Sequence, residues 1–366
     1  MGNSAHEQDD DLDDWSFDYN GRGSEAADVQ LWGVGPDAAQ RESPEPLTVT
    51  ASLGHDGLRI DHCVAQLMPH VSRSMIQKWI GRSHITLDGR TVKPAAVVHA
   101  GQLLAITPPE PEPVSAWGAQ AMELDIVFED DQILVVNKPV GLVVHPAAGH
   151  ADGTLVNGLI AHCPEIRQVA RAGIVHRLDR DTSGLLALAK TAQAQFSLVK
   201  QLQDRSMSRV YLALAWGVVR PQDVRTMMGR DPRDRQKMAV VGEGKGKEAM
   251  TWFSVLAGGD LYGQPVSLIK CALQTGRTHQ IRVHAEHIKS PLVGDRTYSR
   301  HAPHANRLLG GKKEIDELVV GQALHAHTLR FRHPTSGQEM AFSAPPPQPF
   351  VELCRRSGID LSRVLK

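Results

Sequence analysis

The sequence predicts an α+β protein of more than one domain. Its 366 residues exceed one typical domain, and a hydrophobic share of 41% is ordinary for a globular protein with a substantial core. Short apolar runs recur through the last two thirds of the chain, and only some are separated by segments with helical spacing. Consecutive strands with intermittent helices favour an α+β fold over a regular alternation of strand and helix.

The strands and helices of this larger part are predicted from the length and spacing of the apolar runs. The predicted strands span residues 124–128, 132–137, 185–190, 209–216, 250–257, 267–274 and 324–331. The predicted helices span residues 154–161, 192–204, 279–288 and 348–356. The run Gly173-Ile174-Val175 is also interpreted as a short buried strand. The polar residues after it are therefore expected to form a turn between two core elements, where a rigid scaffold can present reactive side chains.

Charge divides the chain unevenly. Residues 1–46 carry twelve acidic residues and two arginines, a net charge of −10, so the overall charge of −1 leaves +9 for residues 47–366. The acidic segment is predicted to be a disordered tail. The basic remainder favours a polyanionic partner, because lysine and arginine displace condensed counterions from phosphates.

The segment that follows the tail is predicted to form a small separate domain. Apolar residues recur with helical spacing over 58–67, and Ser72 is a predicted N-cap for a helix over 73–80. Asp88-Gly89, directly after a short apolar run, predicts a tight hairpin. The basic side of this domain consists of Arg73, Lys78, Arg82 and Lys93. Such a side indicates either RNA binding or only a solvated helix face.

The nine residues from His176 to Gly184, with the sequence HRLDRDTSG, carry the strongest indication of chemistry. They hold two aspartates, two arginines and a histidine. An aspartate beside guanidinium groups stays ionised, because nearby positive charge lowers its pKa. An ionised carboxylate in a fixed orientation can act as a nucleophile or a general base. The alternative is a structural turn whose charges only pair with one another, since ion-pair networks resemble active sites.

Three other chemistries were weighed for this motif. A calcium-binding loop that begins at Asp179 would put Lys190 where the metal needs a carboxylate oxygen, which excludes it. A phosphatase that forms an aspartyl-phosphate could use Asp179 and Asp181, and this alternative stays open although partners for magnesium and phosphate are not evident. Ser183 does not lie in the Gly-x-Ser-x-Gly pattern of a serine hydrolase.

Histidine and cysteine usage indicates neither a metal site nor a disulfide framework. The pairs His284/His287 and His325/His327 lack a supporting ligand set, so surface or RNA-facing roles are expected for them. The four cysteines are widely separated, which fits a reducing compartment. No apolar stretch approaches the roughly 18 residues of a membrane helix. The acidic N-terminus lacks the layout of a signal peptide. We expect no metal, no cofactor, no membrane contact, and a cytoplasmic monomer.

The HRLDRDTSG motif resembles the active-site loop of the RluA-type pseudouridine synthases, and six further segments resemble that family in the expected order. Those segments are Ile133–Pro139, Gly141–Pro146, Arg209–Leu214, Thr275–His284, Pro291–Asp295 and Gln322–Ala326. The first two look like the family's first catalytic strands. The likeness covers roughly residues 123–350. Around His145 and Asn157 it is closest to the RluD-like branch, which modifies large-subunit ribosomal RNA. The small N-terminal domain resembles the S4-type RNA-binding domain.

The resemblance implies a pseudouridine synthase fold with a mixed, mainly antiparallel central sheet, preceded by a small S4-type α/β domain. The implied organisation is an acidic tail (1–46), an S4-type domain (47–107), a proline-rich linker (108–122) and a catalytic domain (123–366). The implied reaction is the isomerisation of uridine to pseudouridine in 23S ribosomal RNA of the large subunit or its assembly precursor. Two alternatives stay open, an RNA-binding ribosome-assembly factor and a synthase that acts on tRNA.

The resemblance also implies roles for individual residues. Asp179 is expected to be the nucleophile or base, and Arg282 to keep it ionised and oriented. Tyr211 is expected to stack on the flipped base and to assist proton removal from C5. Arg177 is expected to fill the space that the base leaves when it flips out of its stack. The other residues expected to bind RNA are His176, Arg277, His279, Arg73 and Lys78.

Overall fold

The computed structural model describes residues 47–68, 73–107, 117–146, 152–234, 236–302 and 321–365. The chain divides into two compact units, Met1–Pro113 and Val114–Lys366, and the division falls within the predicted linker. The predicted tail, the predicted N-cap Ser72 and most of the linker lie outside the described residues. The exact domain boundaries stay predictions.

The first unit is a helix pair packed on a small antiparallel sheet. Its elements are β1 (Leu47–Thr50), a 3₁₀ turn (Leu53–His55), α1 (Ile60–Leu67), α2 (Arg73–Gly81), β2 (Ile85–Leu87), β3 (Arg90–Thr91) and β4 (Leu103–Ile106), and the strand order is β1-β4-β2-β3. Ile60 and Val64 of α1 share one buried cluster with Ile76 of α2, as helical spacing of apolar residues requires. The predicted hairpin is present, with positive φ at Asp88 (50°) and Gly89 (72°), as a type I′ turn requires.

The second unit is built on one large sheet with helices around it. Its strands are β5 (Ile126–Glu129), β6 (Ile133–Lys138), β7 (Ser183–Ala189), β8 (Ser208–Trp216), β9 (Gln222–Arg230), β10 (Met238–Val241), β11 (Lys247–Leu261), β12 (Gln264–Leu273), β13 (Leu324–Arg332) and β14 (Glu339–Ser343). Its helices are α3 (Leu155–His162), α4 (Ala192–Gln203), α5 (Gln280–His287), α6 (Gln348–Arg356) and α7 (Leu361–Val364). The seven strands and four helices predicted above by residue range are present, with ends within four residues of their predicted positions.

The sheet is mixed and mainly antiparallel. Within the described ranges it has ten strands in the order β10-β9-β11-β12-β8-β13-β7-β6-β5, and β14 pairs with β13. The pair β13–β7 is parallel, and the other pairs are antiparallel. The predicted α+β class and sheet type are therefore confirmed. Three of these strands, β9, β10 and β14, carry partly exposed, mixed side chains and were not predicted.

The strand β7 sets the position of the HRLDRDTSG motif, because it begins at Ser183, inside the motif. All seven of its residues are buried, and it lies between β6 and β13 in the middle of the sheet. Gly184 has φ 110°, and a Cβ there would collide with the backbone carbonyl of Ala326 on β13. Only glycine allows the two strands to approach at this point. The motif is therefore fixed to the central strands.

The predicted strand at Gly173-Ile174-Val175 is wrong. A 3₁₀ turn spans Ala170–Gly173, and its residues Arg171 and Ala172 have left-handed φ values of 56° and 49°. Only an isolated bridge between Ile174 and Leu188 follows it. The turn ends so close to the motif that too few residues are left to form a ladder.

The segment Gly141–Pro146, which looks like a catalytic strand of the family, is not a strand either. Gly141 has φ 85°, and the chain turns there directly after Pro139. The carbonyls of Val143 and Val144 accept hydrogen bonds from the first amides of α3 instead of from a neighbouring strand. An apolar run of this length therefore caps a helix here, which its composition does not distinguish from a strand.

Candidate active site

A buried lysine holds the middle of the HRLDRDTSG loop. Lys138, at the end of β6, is 1% exposed, and its Nζ donates hydrogen bonds to the carbonyls of Pro139 (2.8 Å), Leu142 (2.9 Å) and Arg180 (2.9 Å). Burial lowers the pKa of Lys138 to about 7. The three carbonyls match the three N–H bonds of an ammonium group, so the contacts fit the charged form. Lys138 thereby ties the loop to the segment after β6.

The C-terminal end of the loop is fixed against β13. Ser183 Oγ lies 2.9 Å from His325 Nδ1, and His325 Nε2 lies 2.9 Å from the carbonyl of Ala344. Because a carbonyl only accepts, Nε2 of His325 donates, and Nδ1 accepts from the Ser183 hydroxyl. Gln322 Nε2 donates to Thr182 Oγ1 at 2.9 Å. These bonds are buried, so both residues that end the loop have fixed positions.

Between these anchors, Asp179 meets Arg282 of α5. Arg282 Nη1 donates to Asp179 Oδ2 at 2.9 Å, and the side chains are 8% and 16% exposed. Arg282 Nε and Nη2 donate to the two oxygens of the fully buried Asp295, at 2.7 and 3.0 Å. Asp295 Oδ1 also accepts the amide hydrogens of Thr297 and Tyr298, each at 2.9 Å. Asp295 therefore fixes the guanidinium, and the guanidinium fixes one oxygen of Asp179.

The charges of this group keep one another ionised. Burial alone would raise the pKa of Asp179, but His279, once protonated at acid pH, and Arg282 together hold it below its ordinary value of 3.8. Burial alone would lower the pKa of Arg282, whereas Asp295 and Asp179 raise it. Asp179 is therefore a carboxylate at neutral pH, which is the form that a nucleophile or a general base requires.

His279 lies beside the second oxygen of Asp179. Its Nε2 is 3.8 Å from Asp179 Oδ1, and its Nδ1 is 2.8 Å from the hydroxyl oxygen of Tyr298. The Tyr298 ring meets the imidazole edge-on, and its face lies 5.0 Å from the Arg282 guanidinium carbon. His279 has φ 56°, a left-handed conformation that costs a non-glycine residue about 1–2 kcal/mol. The turn that carries the imidazole is thus held in a strained form.

Tyr211 and Arg209 share one face of β8, because they are two residues apart on a strand. Tyr211 is 6% exposed, and burial raises its pKa to about 12, so its hydroxyl is protonated at neutral pH. Arg209 is 7% exposed, and burial lowers the pKa of its guanidinium. Its Nε has no hydrogen-bond partner, and no carboxylate in the described part of the chain pairs with it. Among the residues that the structure describes, Arg209 is therefore a buried guanidinium with no carboxylate paired to it.

Arg177 is exposed on the loop, where it is accessible to a large substrate. The alternative role considered for it was an ion pair with Asp181. Asp181 instead accepts two hydrogen bonds from Arg180, at 2.9 and 3.2 Å. Insertion of Arg177 into RNA stays a prediction.

Of the other two residues expected to bind RNA near this loop, His176 is buried and Arg277 is partly exposed. His176 is 7% exposed, its Nε2 accepts the amide hydrogen of Ala187 at 3.1 Å, and burial lowers its pKa to about 3. This neutral imidazole holds the start of the loop against β7, and its contact with RNA stays a prediction. Arg277 is partly exposed, and its Nε donates to the Glu248 carbonyl at 3.0 Å. Its contact with RNA stays a prediction.

In the first unit, Arg73 and Lys78 both lie on α2. Lys78 is exposed, whereas Ile76 and Ile80 of the same helix are buried. The helix therefore presents Lys78 away from its apolar face. That the two residues bind RNA stays a prediction.

Sequence reasoning assigned no role to Lys138, Asp295 or Tyr298, and it wrongly expected a surface or RNA-facing role for His325, which is 0% exposed. Lys138, Asp295 and His325 are polar residues that lie at the end of, or inside, an apolar run. The three runs are ILVVNK, PLVGD and ALHA. A polar residue in such a run is buried and must find partners, which is a usable signal. Tyr298 carries no comparable signal, because its role depends on a contact with His279 across 19 residues.

The described ranges contain no group of three or more His, Cys, Asp or Glu side chains that could hold a metal ion. No helix in those ranges is long and apolar enough to cross a membrane.

Two family models match the chain. Residues 132–287 match the RNA pseudouridylate synthase family, and residues 58–104 match the S4 domain. The first match contains Asp179, Tyr211 and Arg282, and the second contains α1 and α2.

Curated bacterial relatives match most of the chain. "Ribosomal large subunit pseudouridine synthase D" of Neisseria meningitidis serogroup B is 45% identical over 333 residues, which cover 89% of this chain and 86% of the relative. The protein of the same name from Pseudomonas aeruginosa is 46% identical, over 81% of this chain and 91% of the relative. "Uncharacterized RNA pseudouridine synthase YlyB" of Bacillus subtilis is 43% identical, over 84% of this chain and 96% of the relative.

Two solved structures also match this chain. "Human RNA Pseudouridylate Synthase Domain Containing 1" is 28% identical with a TM-score of 0.50, and the match covers 70% of this chain and 96% of that one. "Human RNA Pseudouridylate Synthase Domain Containing 4" is 21% identical with a TM-score of 0.51, over 64% of this chain and 94% of that one, which shows a shared fold. The chain belongs to the RNA pseudouridylate synthase family and carries an S4 domain at its N-terminal side.

Proposed function

We propose that this protein isomerises uridine to pseudouridine in 23S ribosomal RNA of the large subunit. The observation that carries the proposal is the partly buried carboxylate of Asp179, held by Arg282 at 2.9 Å, in a chain 45% identical to a large-subunit pseudouridine synthase. Such a carboxylate is ionised and oriented before any substrate arrives, which is what electrostatic preorganisation requires.

The reaction begins when the target uridine leaves its stack, at a cost of about a few kcal/mol. Arg177 takes its place in the RNA, and Asp179 acts on the flipped nucleotide. In each of three routes (attack on C1′, attack on C6, or assistance to glycal formation) Asp179 must be ionised. The bond from C1′ to N1 breaks, the base turns, and a bond from C1′ to C5 forms. Tyr211 supplies the ring on which the base stacks.

The protonated Tyr211 hydroxyl is a hydrogen-bond donor at neutral pH rather than a strong base. A pKa raised to about 12 leaves almost no phenolate near pH 7. Assistance by Tyr211 in removing the C5 proton therefore requires that the bound base change this environment, or that the hydroxyl act by orienting the base. This supports the stacking role more directly than the role as a base.

The S4 domain is the second RNA-binding element. We infer that Arg73 and Lys78 of α2 contact RNA phosphates, and that Arg277 and His279 contact the RNA near the Asp179 site. A substrate in the ribosomal large subunit or its assembly precursor implies a cytoplasmic location in a bacterium, and we propose that the protein acts as a monomer without a cofactor.

The first test is a pseudouridine map of ribosomal RNA by carbodiimide-stop sequencing, from cells with and without the protein. We expect discrete sites in the large-subunit RNA to disappear, and to return with the wild-type chain but not with Asp179→Asn. Asp179→Asn should retain RNA affinity within a few-fold, because it leaves the positive groups in place. Conversion of uridine by Asp179→Asn at a near-normal rate would refute the assignment of Asp179.

The same map separates the alternatives. Loss of sites in tRNA alone would redirect the substrate assignment to tRNA. An unchanged map, together with a defect in large-subunit assembly that Asp179→Asn repairs, would favour the ribosome-assembly factor.

Lys78→Ala tests the S4 domain. Removal of one phosphate contact should weaken RNA binding and reduce the slope of log affinity against log salt by about 0.7–0.9. Arg330→Ala, an exposed arginine of β13 in the other unit, is the control and should leave the slope unchanged. An equal slope for Lys78→Ala and the wild type would remove Lys78 from the RNA surface.

A further inference from the structure

His279 has a defined tautomer, which follows from its contact with Tyr298. The Met238 amide donates a hydrogen bond to the Tyr298 hydroxyl oxygen at 2.9 Å. That oxygen therefore accepts from Met238, and its own hydrogen is available to His279 Nδ1, 2.8 Å away. Nδ1 accepts this hydrogen, so the proton of the neutral imidazole sits on Nε2.

The protonated nitrogen of His279 faces the reactive side of Asp179. Arg282 occupies Asp179 Oδ2 at 2.9 Å, and His279 Nε2 lies 3.8 Å from Oδ1. A separation of 3.8 Å is too long for a hydrogen bond between the two. It allows one substrate group to contact both atoms, and the His279 side chain is 23% exposed, so it is not sealed from a ligand.

The geometry points to His279 as a hydrogen-bond donor to the uracil during isomerisation, with Tyr298 as the positioning residue that fixes its tautomer. This inference rests on the proposed function. When the C1′–N1 bond breaks, its electron pair leaves with the base, and negative charge spreads to the carbonyl oxygens of the uracil. The Nε2–H of His279 donates to one of those oxygens. When the C1′–C5 bond forms, that electron pair becomes the new bond. The C5 proton then leaves, its electron pair restores the ring double bond, and N1 takes up a proton, so that one proton moves in net from C5 to N1.

Two further observations support a chemical role over a purely structural one. His279 is held at φ 56°, and strain of this kind persists where the surroundings over-determine it, which is common at active sites. The charged groups that face it are Asp179, Arg282, Arg177 and Asp295. Asp179, Arg282 and Asp295 form the hydrogen-bonded group described above, and Arg177 is the exposed arginine of the HRLDRDTSG loop.

The test measures single-turnover conversion of uridine at saturating RNA, and RNA affinity separately. His279→Gly removes the imidazole and suits a positive φ, so it should fold without strain. We expect its rate to fall about 100-fold or more, as for loss of one donor to a developing oxyanion. We expect its dissociation constant for RNA to change by less than about threefold. His279→Gln, whose amide N–H can take the place of Nε2–H, should recover about tenfold of that loss.

Tyr298→Phe tests the positioning role. It keeps the ring beside Arg282 and removes only the hydroxyl, so His279 loses its fixed tautomer, and we expect a rate loss of about tenfold with unchanged affinity. The matched control is Thr226→Val, which removes a hydroxyl 2.9 Å from the buried His284 of the same helix α5. It should leave the rate within about twofold of wild type, because Thr226 and Thr251 both bond to His284 and are not part of the group formed by Asp179, Arg282 and His279.

Two outcomes would overturn the inference. One is a His279→Gly rate within about threefold of wild type at every RNA concentration, and the other is a loss of rate that disappears when the RNA is saturating. In the second case His279 is an RNA-binding residue only. Failure of the wild-type protein to convert any uridine in the large-subunit RNA would instead refute the proposed function, so the two failures are distinguishable.

Discussion

Two buried arginines near the same site have opposite surroundings. Arg282 is 7% exposed and is bonded to the carboxylates of Asp179 and Asp295. Arg209 is also 7% exposed, but its Nε lacks a partner and no described carboxylate pairs with it. Burying an unpaired charge is costly, whereas a hydrogen-bonded pair offsets much of that cost.

The two arginines show that burial alone does not determine the role of a charged side chain. Arg282 is already paired with Asp179 and Asp295 before substrate binds, so it orients Asp179 in the free protein. Arg209 lacks a paired carboxylate among the described residues. Beyond the effect of burial, its positive charge acts to lower the pKa values of its neighbours Tyr211 and His176. Stability and function should therefore respond differently to the loss of each arginine.

The largest effect is expected for Arg282→Met. The buried Asp295 and the partly buried Asp179 lose their guanidinium, which should lower the free energy of unfolding by about 3–5 kcal/mol. Conversion of uridine should fall by several orders of magnitude, because Asp179 loses its orientation. Thermal unfolding and single-turnover rate measure the two effects, with Arg330→Met as an exposed control expected within about 0.5 kcal/mol of wild type. An unchanged melting temperature would contradict the structure of this group.

A smaller effect of opposite sign is expected for Arg209→Met. Removing an uncompensated buried charge at similar side-chain volume should raise the free energy of unfolding by about 1 kcal/mol. For a unit of this size the melting temperature should rise by roughly 2–4 °C. Arg209→Lys, which keeps a buried charge, should not raise it. A destabilisation as large as that of Arg282→Met would show that Arg209 has a partner after all.

The smallest effect is expected on the stability of the folded protein at acid pH. The pKa of Asp179 in the folded protein is below its ordinary value of 3.8, so its contribution to stability is complete above that value. It is lost as the pH falls through the lower, folded value. Denaturation from pH 5 to pH 2 should show this loss in the wild type and in Arg209→Met, but less of it in Asp179→Asn. Equal acid sensitivity of all three proteins would refute the lowered pKa.

Much of the fold was predictable because it is encoded locally. The apolar runs of β6, β7, β8 and β13 specify buried strands, and the spacing in α1 and α4 specifies helices. The errors occur where local pattern and tertiary context diverge. Ile174 lies in an apolar run yet makes one bridge, and Gly141–Pro146 caps α3 instead of pairing in the sheet.

The site was predictable in part for the same reason. Asp179 and Arg282 stand out from motifs, and their contact across 103 residues is found at 2.9 Å. The burial of His176 against β7 was not predicted, because a histidine in a polar motif gives no indication of where its ring packs. Asp295, Tyr298 and Lys138 were given no role, since their importance lies in contacts with distant residues.

By itself the sequence determined the α+β class, the order of the elements, the charge division of the chain and the motif that holds Asp179. Those properties depend on residues near one another in the chain. Only the tertiary structure decided which charges are paired, which histidines are buried, and which oxygen of Asp179 faces His279. These properties depend on distances between residues far apart in sequence, and such distances are set by the packing of β7, β8 and α5.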